Sequence, residues 1–202
     1  MSKTAQAWRA TRRATARQTI VRAAWAVVRE EGLAGLSLRH LAERAGTTTP
    51  TIYAYFTSKD DIYDAMFEDA AGDFEAQMSR PGLSGDARDA LAESLRRFIA
   101  FCTEDVARYQ LLFERSIPGF RPSPAAYAPA VRALETARTL LALNGIHDPP
   151  QLDVWTALTT GIVSQQIAND PGGDRWTRLV DEVVSMFLDH MHNRTLTRGA
   201  VS

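Results

Sequence analysis

Apolar residues in this chain recur three and four positions apart almost everywhere and alternate almost nowhere. The last stripe shows it best: Trp176, Leu179, Val180, Val183, Val184, Phe187, Leu188 and Met191 lie at offsets 0, 3, 4, 7, 8, 11, 12 and 15. That spacing collects them on one side of an α-helix, whereas a half-buried strand needs a period of two. Ile20, Ala23, Ala24, Val27 and Val28 repeat the pattern near the start, and Leu91, Leu95, Phe98, Ile99, Cys102 and Val106 repeat it in the middle. Further helices are expected around Tyr127, Val131, Leu134 and Leu141, and through Trp155, Leu158, Ile162 and Val163. The fold class that follows is all-α.

The chain has 202 residues, 45% apolar and 23% charged. A chain of this size buries roughly 70% of its extended surface and needs no staples. Cys102 is its single cysteine, which excludes an internal disulfide and fits a reducing compartment. No run approaches the ~18 apolar residues of a membrane span, and no signal-type apolar core follows Arg12 and Arg13. The expectation is a soluble, cytoplasmic protein that meets no membrane. The histidines His40, His147, His190 and His192 are scattered, with no HExxH spacing and no phosphate-cradling glycine loop. No catalytic residue, metal site or cofactor is therefore expected.

Net charge is −1, but it is unevenly placed. Residues 1–59 carry ten Lys or Arg against three acids, Glu30, Glu31 and Glu43. A basic end on an acidic body suggests that the first part meets a polyanion. Residues 1–16, with arginines in "WRATRRATAR" (8–17), are expected to form a flexible basic arm that follows phosphates or enters a minor groove.

The stretch after it is punctuated at short intervals. Gly32 ends the first helix, Ser37 caps a short second one carrying Leu38, Leu41, Ala42 and Ala45, and Gly46 closes that. A third opens at Pro50, with Thr49 as its cap and Ile52 and Phe56 turned inward. Ser58 and Asp61 have capping-box spacing for a fourth, about Lys59–Met78. Two short helices joined by a glycine turn after a longer one make a helix-turn-helix, whose second helix lies in the major groove. Short threonine side chains there reach base edges and thymine methyls.

Residues 17–63 resemble the DNA-binding domain of the tetracycline-repressor (TetR) family. The resemblance rests on Gly32, Ser37, Leu41-Ala42, Ala45-Gly46, Thr51-Ile52-Tyr53, Tyr55-Phe56, Ser58-Lys59 and Ile62, about a quarter of the chain. It implies that Arg39, Thr48, Thr49, Pro50 and Thr51 face the bases or backbone of an operator, and that Tyr53, Tyr55 and Lys59 hold phosphates. One position departs from the family pattern: the residue after Gly46 is usually apolar and here is Thr47.

The resemblance also implies a helical effector-binding and dimerisation domain over 64–194, followed by a tail over 195–202. Partners would then be a double-stranded DNA operator, a second copy of the chain and a small, mainly apolar effector that releases a repressor. For the effector, the aromatic and small residues around "RSIPGFRPSP" (115–124) are the candidates: Phe98, Phe101, Cys102, Tyr109 and Phe113, then Phe120, Tyr127, Trp155 and Thr159. For the dimer, the last two stripes offer Trp155, Leu158 and Ile162, then Trp176, Val180, Val183 and Phe187. Gly161, Ser164 and Ala157 would permit close approach. The competing expectation is a helical effector-binding or protein-interaction module without operator-specific DNA binding.

Overall fold

The computed structural model describes residues 3–81 and 85–199, with side chains over 6–81 and 85–193. These residues form α1 (Lys3–Glu31), α2 (Leu38–Arg44), α3 (Thr49–Tyr53), α4 (Lys59–Met78) and α5 (Ala87–Glu104), then α6 (Val106–Phe113), α7 (Pro124–Leu143), α8 (Pro149–Asn169) and α9 (Val180–Gly199). Short 3-10 turns cover Leu33–Gly35 and Thr177–Leu179, and there is no strand among the described residues. The loop expected at Arg80–Gly85 falls partly on residues 82–84, outside the described set. The expected tail begins inside α9, and residues 200–202 also lie outside that set.

The chain divides into two compact units. One holds residues up to Ala71 together with Gln110–Ala128, and the other holds Gly72–Tyr109 and the chain from Pro129 onward. In the first, α1 turns Ile20, Val21, Ala24, Val27 and Val28 into a core shared with Leu36, Leu41, Ile52, Phe56 and Ile62. Local chemistry sets the corners. Gly32 takes φ 76° and donates to the Val28 carbonyl, ending α1. At the end of α2, Gly46 takes φ 64° while its N–H reaches Glu43 and the Thr47 N–H reaches back to Ala42. This pair of bonds satisfies two of the helix's last carbonyls, and the left-handed angle favours glycine.

The arm is where sequence and structure part. Residues 3–16 are the first turns of α1 rather than a flexible segment. Thr11, Thr15 and Thr19 each donate a hydroxyl to the carbonyl four residues back, so the threonines of this polar stretch are absorbed by its own helix.

In the second unit α5 packs on α8 and α9. Leu91, Leu95, Ile99 and Cys102 meet a core that includes Leu152, Trp155, Val163, Val184 and Phe187. The Trp155 and Phe187 rings lie 5.1 Å apart. Buried Gln166 ties the 170–177 turn together: its carbonyl accepts the amides of Trp176 and Thr177 at 3.0 and 3.3 Å, and its amide donates to Gly173 at 3.1 Å. Arg132 forks onto Glu75 at 2.5 and 2.7 Å, which holds the Glu75 carboxyl below its usual range. The helix expected around Tyr127 exists as α7, but of the expected stripe only Leu141 is buried. Ala126, Ala133, Leu140 and Leu141 are covered, while Tyr127, Val131 and Leu134 are exposed. Alanines let a helix sit closer to its neighbour than the bulkier stripe does.

Candidate nucleic-acid interface

Seven residues of α2 and five of α3 form the reading unit. Ser37 caps α2 as expected, accepting the His40 amide at 3.2 Å. The cap of α3 lies one residue earlier than expected. Thr48, in extended conformation, accepts the Thr51 amide at 3.4 Å, with its hydroxyl 2.9 Å from that of Thr51. Thr49 and Pro50 are thus helical, and Pro50 occupies a first-turn position where no N–H is needed. Ile52 and Phe56 are 0% and 1% exposed and pin the helix from beneath. Thr48, Pro50, Thr51 and Tyr53 point out, while Thr49 and Thr47 are half-buried.

The flanking groups are also placed. Arg39 is exposed, and its Nε donates to Glu43 at 3.1 Å, an exposed pair of the kind that contributes only ~0.3–0.5 kcal/mol and yields easily to a stronger acceptor. Tyr55 and Lys59 are half-buried, and the Lys59 ammonium stands 5.3 Å from the Tyr63 ring. Ser58 caps α4 by accepting the Asp61 amide at 3.1 Å, and Asp61 accepts the Thr57 N–H at 2.8 Å and its hydroxyl. The Thr57 hydroxyl bond chiefly holds the Asp61 carboxyl below its ordinary range, aided by the Thr57 backbone bond.

Sequence reasoning missed what fixes the far end of α3. Arg17 donates to the Tyr55 carbonyl at 2.6 Å and Arg13 to the Ala54 carbonyl at 3.3 Å. The Arg17 guanidinium also lies 4.2 Å over the Phe56 ring. These pairs are 38 and 41 residues apart, and no periodicity within one sequence links such positions. Gln18 and Trp25 of α1 likewise converge on Asp69 of α4, at 2.8 and 3.0 Å.

The residues expected around an effector fall in both units. Within the first, Phe113, Phe120 and Tyr127 line a groove of about 550 Å³ with Phe67, Ile117 and Arg121. Phe67 stacks on Tyr127 at 5.9 Å, and Phe120 lies 5.6 Å from Tyr63. Within the second, Phe101, Cys102, Tyr109, Trp155 and Thr159 are buried and Phe98 is half-buried. Phe74 packs on both Phe98 and Phe101, at 5.9 and 5.1 Å. Burial pushes the Cys102 thiol far up, which leaves it an inert apolar filler.

The expected dimer residues need the plainest correction. Trp155, Ile162, Val180 and Phe187 are closed inside the subunit's own core, because α5 covers that side of α8 and α9. Leu158, Trp176 and Val183 are half-buried. The outward faces carry Val154, Ala157, Gly161 and Ser164 on α8, and Met186 on α9. Among the described residues no helix is long and apolar enough to cross a membrane, and no His, Cys, Asp and Glu cluster could hold a metal.

Residues 20–66 match the family model for bacterial regulatory proteins of the tetR family. The chain is 35% identical over 80 residues to the class A tetracycline repressor protein from transposon 1721 of Escherichia coli, covering 40% of this chain and 37% of that one. It is 31% identical over 132 residues to the HTH-type transcriptional repressor DrrR1 of Streptomyces coeruleorubidus, covering 64% and 44%. These alignments span less than half the length of either relative. Among solved structures, the transcriptional regulator FadR of Bacillus subtilis in complex with stearoyl-CoA superposes with a TM-score of 0.67 at 20% identity, over 85% of this chain and 97% of that one.

Proposed function

We propose that the chain, whose residues 20–66 match the family model for bacterial regulatory proteins of the tetR family, is a homodimeric repressor released from its operator by a small, mainly apolar effector. It acts by binding DNA and not by catalysis. The observation that carries this reading is the split of α3: Ile52 and Phe56 sealed beneath, Pro50, Thr51 and Tyr53 turned outward. A helix held so lays its first residues against base edges, while flanking hydroxyls and cations take phosphates. Thr49, Pro50, Thr51 and Arg39 are the readers. Tyr53, Tyr55 and Lys59 position the head on the backbone. Thr48 serves chiefly as the cap.

One head reads only a few base pairs, so a two-fold pair on a near-palindrome is expected. The joint is the outward face of α8 and α9, through Val154, Ala157, Leu158, Gly161, Val183 and Met186. For the effector, the groove between Phe67, Phe113, Phe120 and Tyr127 is the best-supported seat. Its wall reaches the head: Phe120 packs on Tyr63, whose hydroxyl is bonded to Leu33, and Asp64 accepts from the Ser123 amide and hydroxyl at 2.6 and 2.8 Å. An occupant that displaces Phe120 therefore acts on α4. It releases DNA only if it prefers the non-binding state, since equal affinity for both states shifts nothing. The cellular place of such a regulator is the cytoplasm.

The test is a titration of a mixed-sequence duplex across salt, joined to selection of bound fragments from the source genome. Binding that falls steeply with log salt, with a sequence-selective fraction, supports the reading. Absence of binding to either pool would leave a helical effector or interaction module instead.

A further inference from the structure

The first half of α1 has no core to cover. Every residue from Gln6 to Thr15 is exposed, and Ile20 is the first buried position of the helix. A polar helix that buries nothing gains little from its own hydrogen bonds, so its retention as an extension of a packed helix calls for a contact elsewhere.

Its charge is unanswered within the head. All three acids of residues 1–59 are already matched: Glu30 by Arg44, Glu31 by His40 and Glu43 by Arg39. Arg9 and Arg12 face no carboxylate among the described residues, and the Arg12 guanidinium lies 4.7 Å over the exposed Trp8 ring. Arg13 and Arg17 differ, because they hold the Ala54 and Tyr55 carbonyls at the end of α3. The α3 helix ends without glycine, and the carbonyls of the two residues that follow it, Ala54 and Tyr55, are taken by two guanidiniums. Taking Arg17 to a phosphate would unpair the Tyr55 carbonyl and lift the guanidinium from Phe56.

Between these groups runs an open groove of about 720 Å³, bordered by Trp8, Arg9, Arg12, Arg13, Ala54 and Tyr55. We propose that this half of α1 is a second nucleic-acid contact surface on which the arginines divide: Arg9 and Arg12 take phosphates of a DNA strand passing beside the reading helix, while Arg13 and Arg17 fasten that helix and touch no DNA. The occupant is a sugar–phosphate strand because the groove ends at Ala54 and Tyr55, directly after the reading helix, and because guanidiniums pair with phosphate while rings pack on sugar. An acidic peptide would have no reason to share that border. This inference rests on the DNA-binding reading above.

The experiment measures binding to a mixed-sequence duplex over a range of KCl for wild type, Arg9→Ala/Arg12→Ala, Arg17→Ala and Arg17→Lys. It also follows amide exchange of residues 52–56 in the free protein. The slope of log K against log salt is expected to become shallower by about 1.8 in the double variant, near 0.9 per lost phosphate contact. Arg17→Ala keeps the wild-type slope but speeds exchange at residues 52–56, with partial recovery in Arg17→Lys. An unchanged slope in the double variant overturns the phosphate role. A slope shallower by about 0.9 in Arg17→Ala overturns the division. Wild type that binds no duplex at all removes the DNA-binding reading first, and this proposal with it.

Discussion

The Tyr63 hydroxyl donates a 2.6 Å hydrogen bond to the Leu33 carbonyl, with both residues buried, 30 positions apart in sequence. It joins α4 to the turn between α1 and α2, while the same ring meets Phe120 from the aromatic groove. Tyr63→Phe removes the shorter of two donors to the Leu33 carbonyl, which keeps only the Leu36 amide at 3.4 Å, at a cost of about 0.5–1.5 kcal/mol. A lowered urea midpoint with unchanged urea sensitivity is the expected result. An unchanged midpoint would mean that the Leu36 amide alone satisfies the carbonyl.

Acid should weaken the head through Asp61. Its carboxyl is held low by Thr57, so the ionised form favours the fold. That contribution is whole above the unfolded value of ~3.9 and is lost as pH falls from there through the depressed folded value. Wild type should lose stability on acidification below about pH 4, and Asp61→Asn should lose less over the same window. Melting curves from neutral pH downward check it; parallel profiles would remove Asp61 from the account.

Two neighbours on α9 should behave oppositely. Met186 is 55% exposed and Phe187 is 2% exposed. Met186→Glu should give folded monomers in sedimentation, with weakened binding to selected DNA. Phe187→Asp buries an unpaired charge and should unfold the subunit instead. Dimers that persist in Met186→Glu would move the joint elsewhere.

Reading and positioning should separate by sequence dependence. Arg39→Ala should shift base preference by ~1–3 kcal/mol at one position, and Lys59→Ala should weaken all duplexes alike. Glu43→Ala frees Arg39 from its exposed pair and should leave base preference as it is. Binding measured across single-base variants of a selected fragment decides between the two roles.

What was legible in the sequence was what local chemistry decides. Ser37, Gly32 and Gly46 act on backbone groups within five residues of themselves, and the structure finds them acting so. Ile52 and Phe56 are four apart, and although α3 ends at Tyr53, the Phe56 amide still donates to the Ile52 carbonyl at 3.0 Å and both residues are buried. The cap of α3 slipped from Thr49 to Thr48 because consecutive threonines offer the same hydroxyl. The α8 stripe was helical as read, and the last stripe is so from Val180, with Trp176 and Leu179 in the turn before α9, but an apolar stripe does not say whether its own chain or a partner covers it. Here α5 covers Trp155 and Phe187. Hardest of all were Arg13 and Arg17: a basic run reads as a phosphate-seeking arm until the carbonyls of Ala54 and Tyr55 are seen beside it.

The outward face of α3 entering a major groove is best tested by methylation interference on the tightest genome-selected fragment. Guanine N7 lies in that groove, so its methylation there blocks a helix and not a backbone contact. Interference in two clusters about one duplex turn (~34 Å) or a multiple apart, relieved at single guanines by Arg39→Ala, is the expected result. Tight, selective binding that tolerates methylation at every guanine of a G-containing site would contradict it.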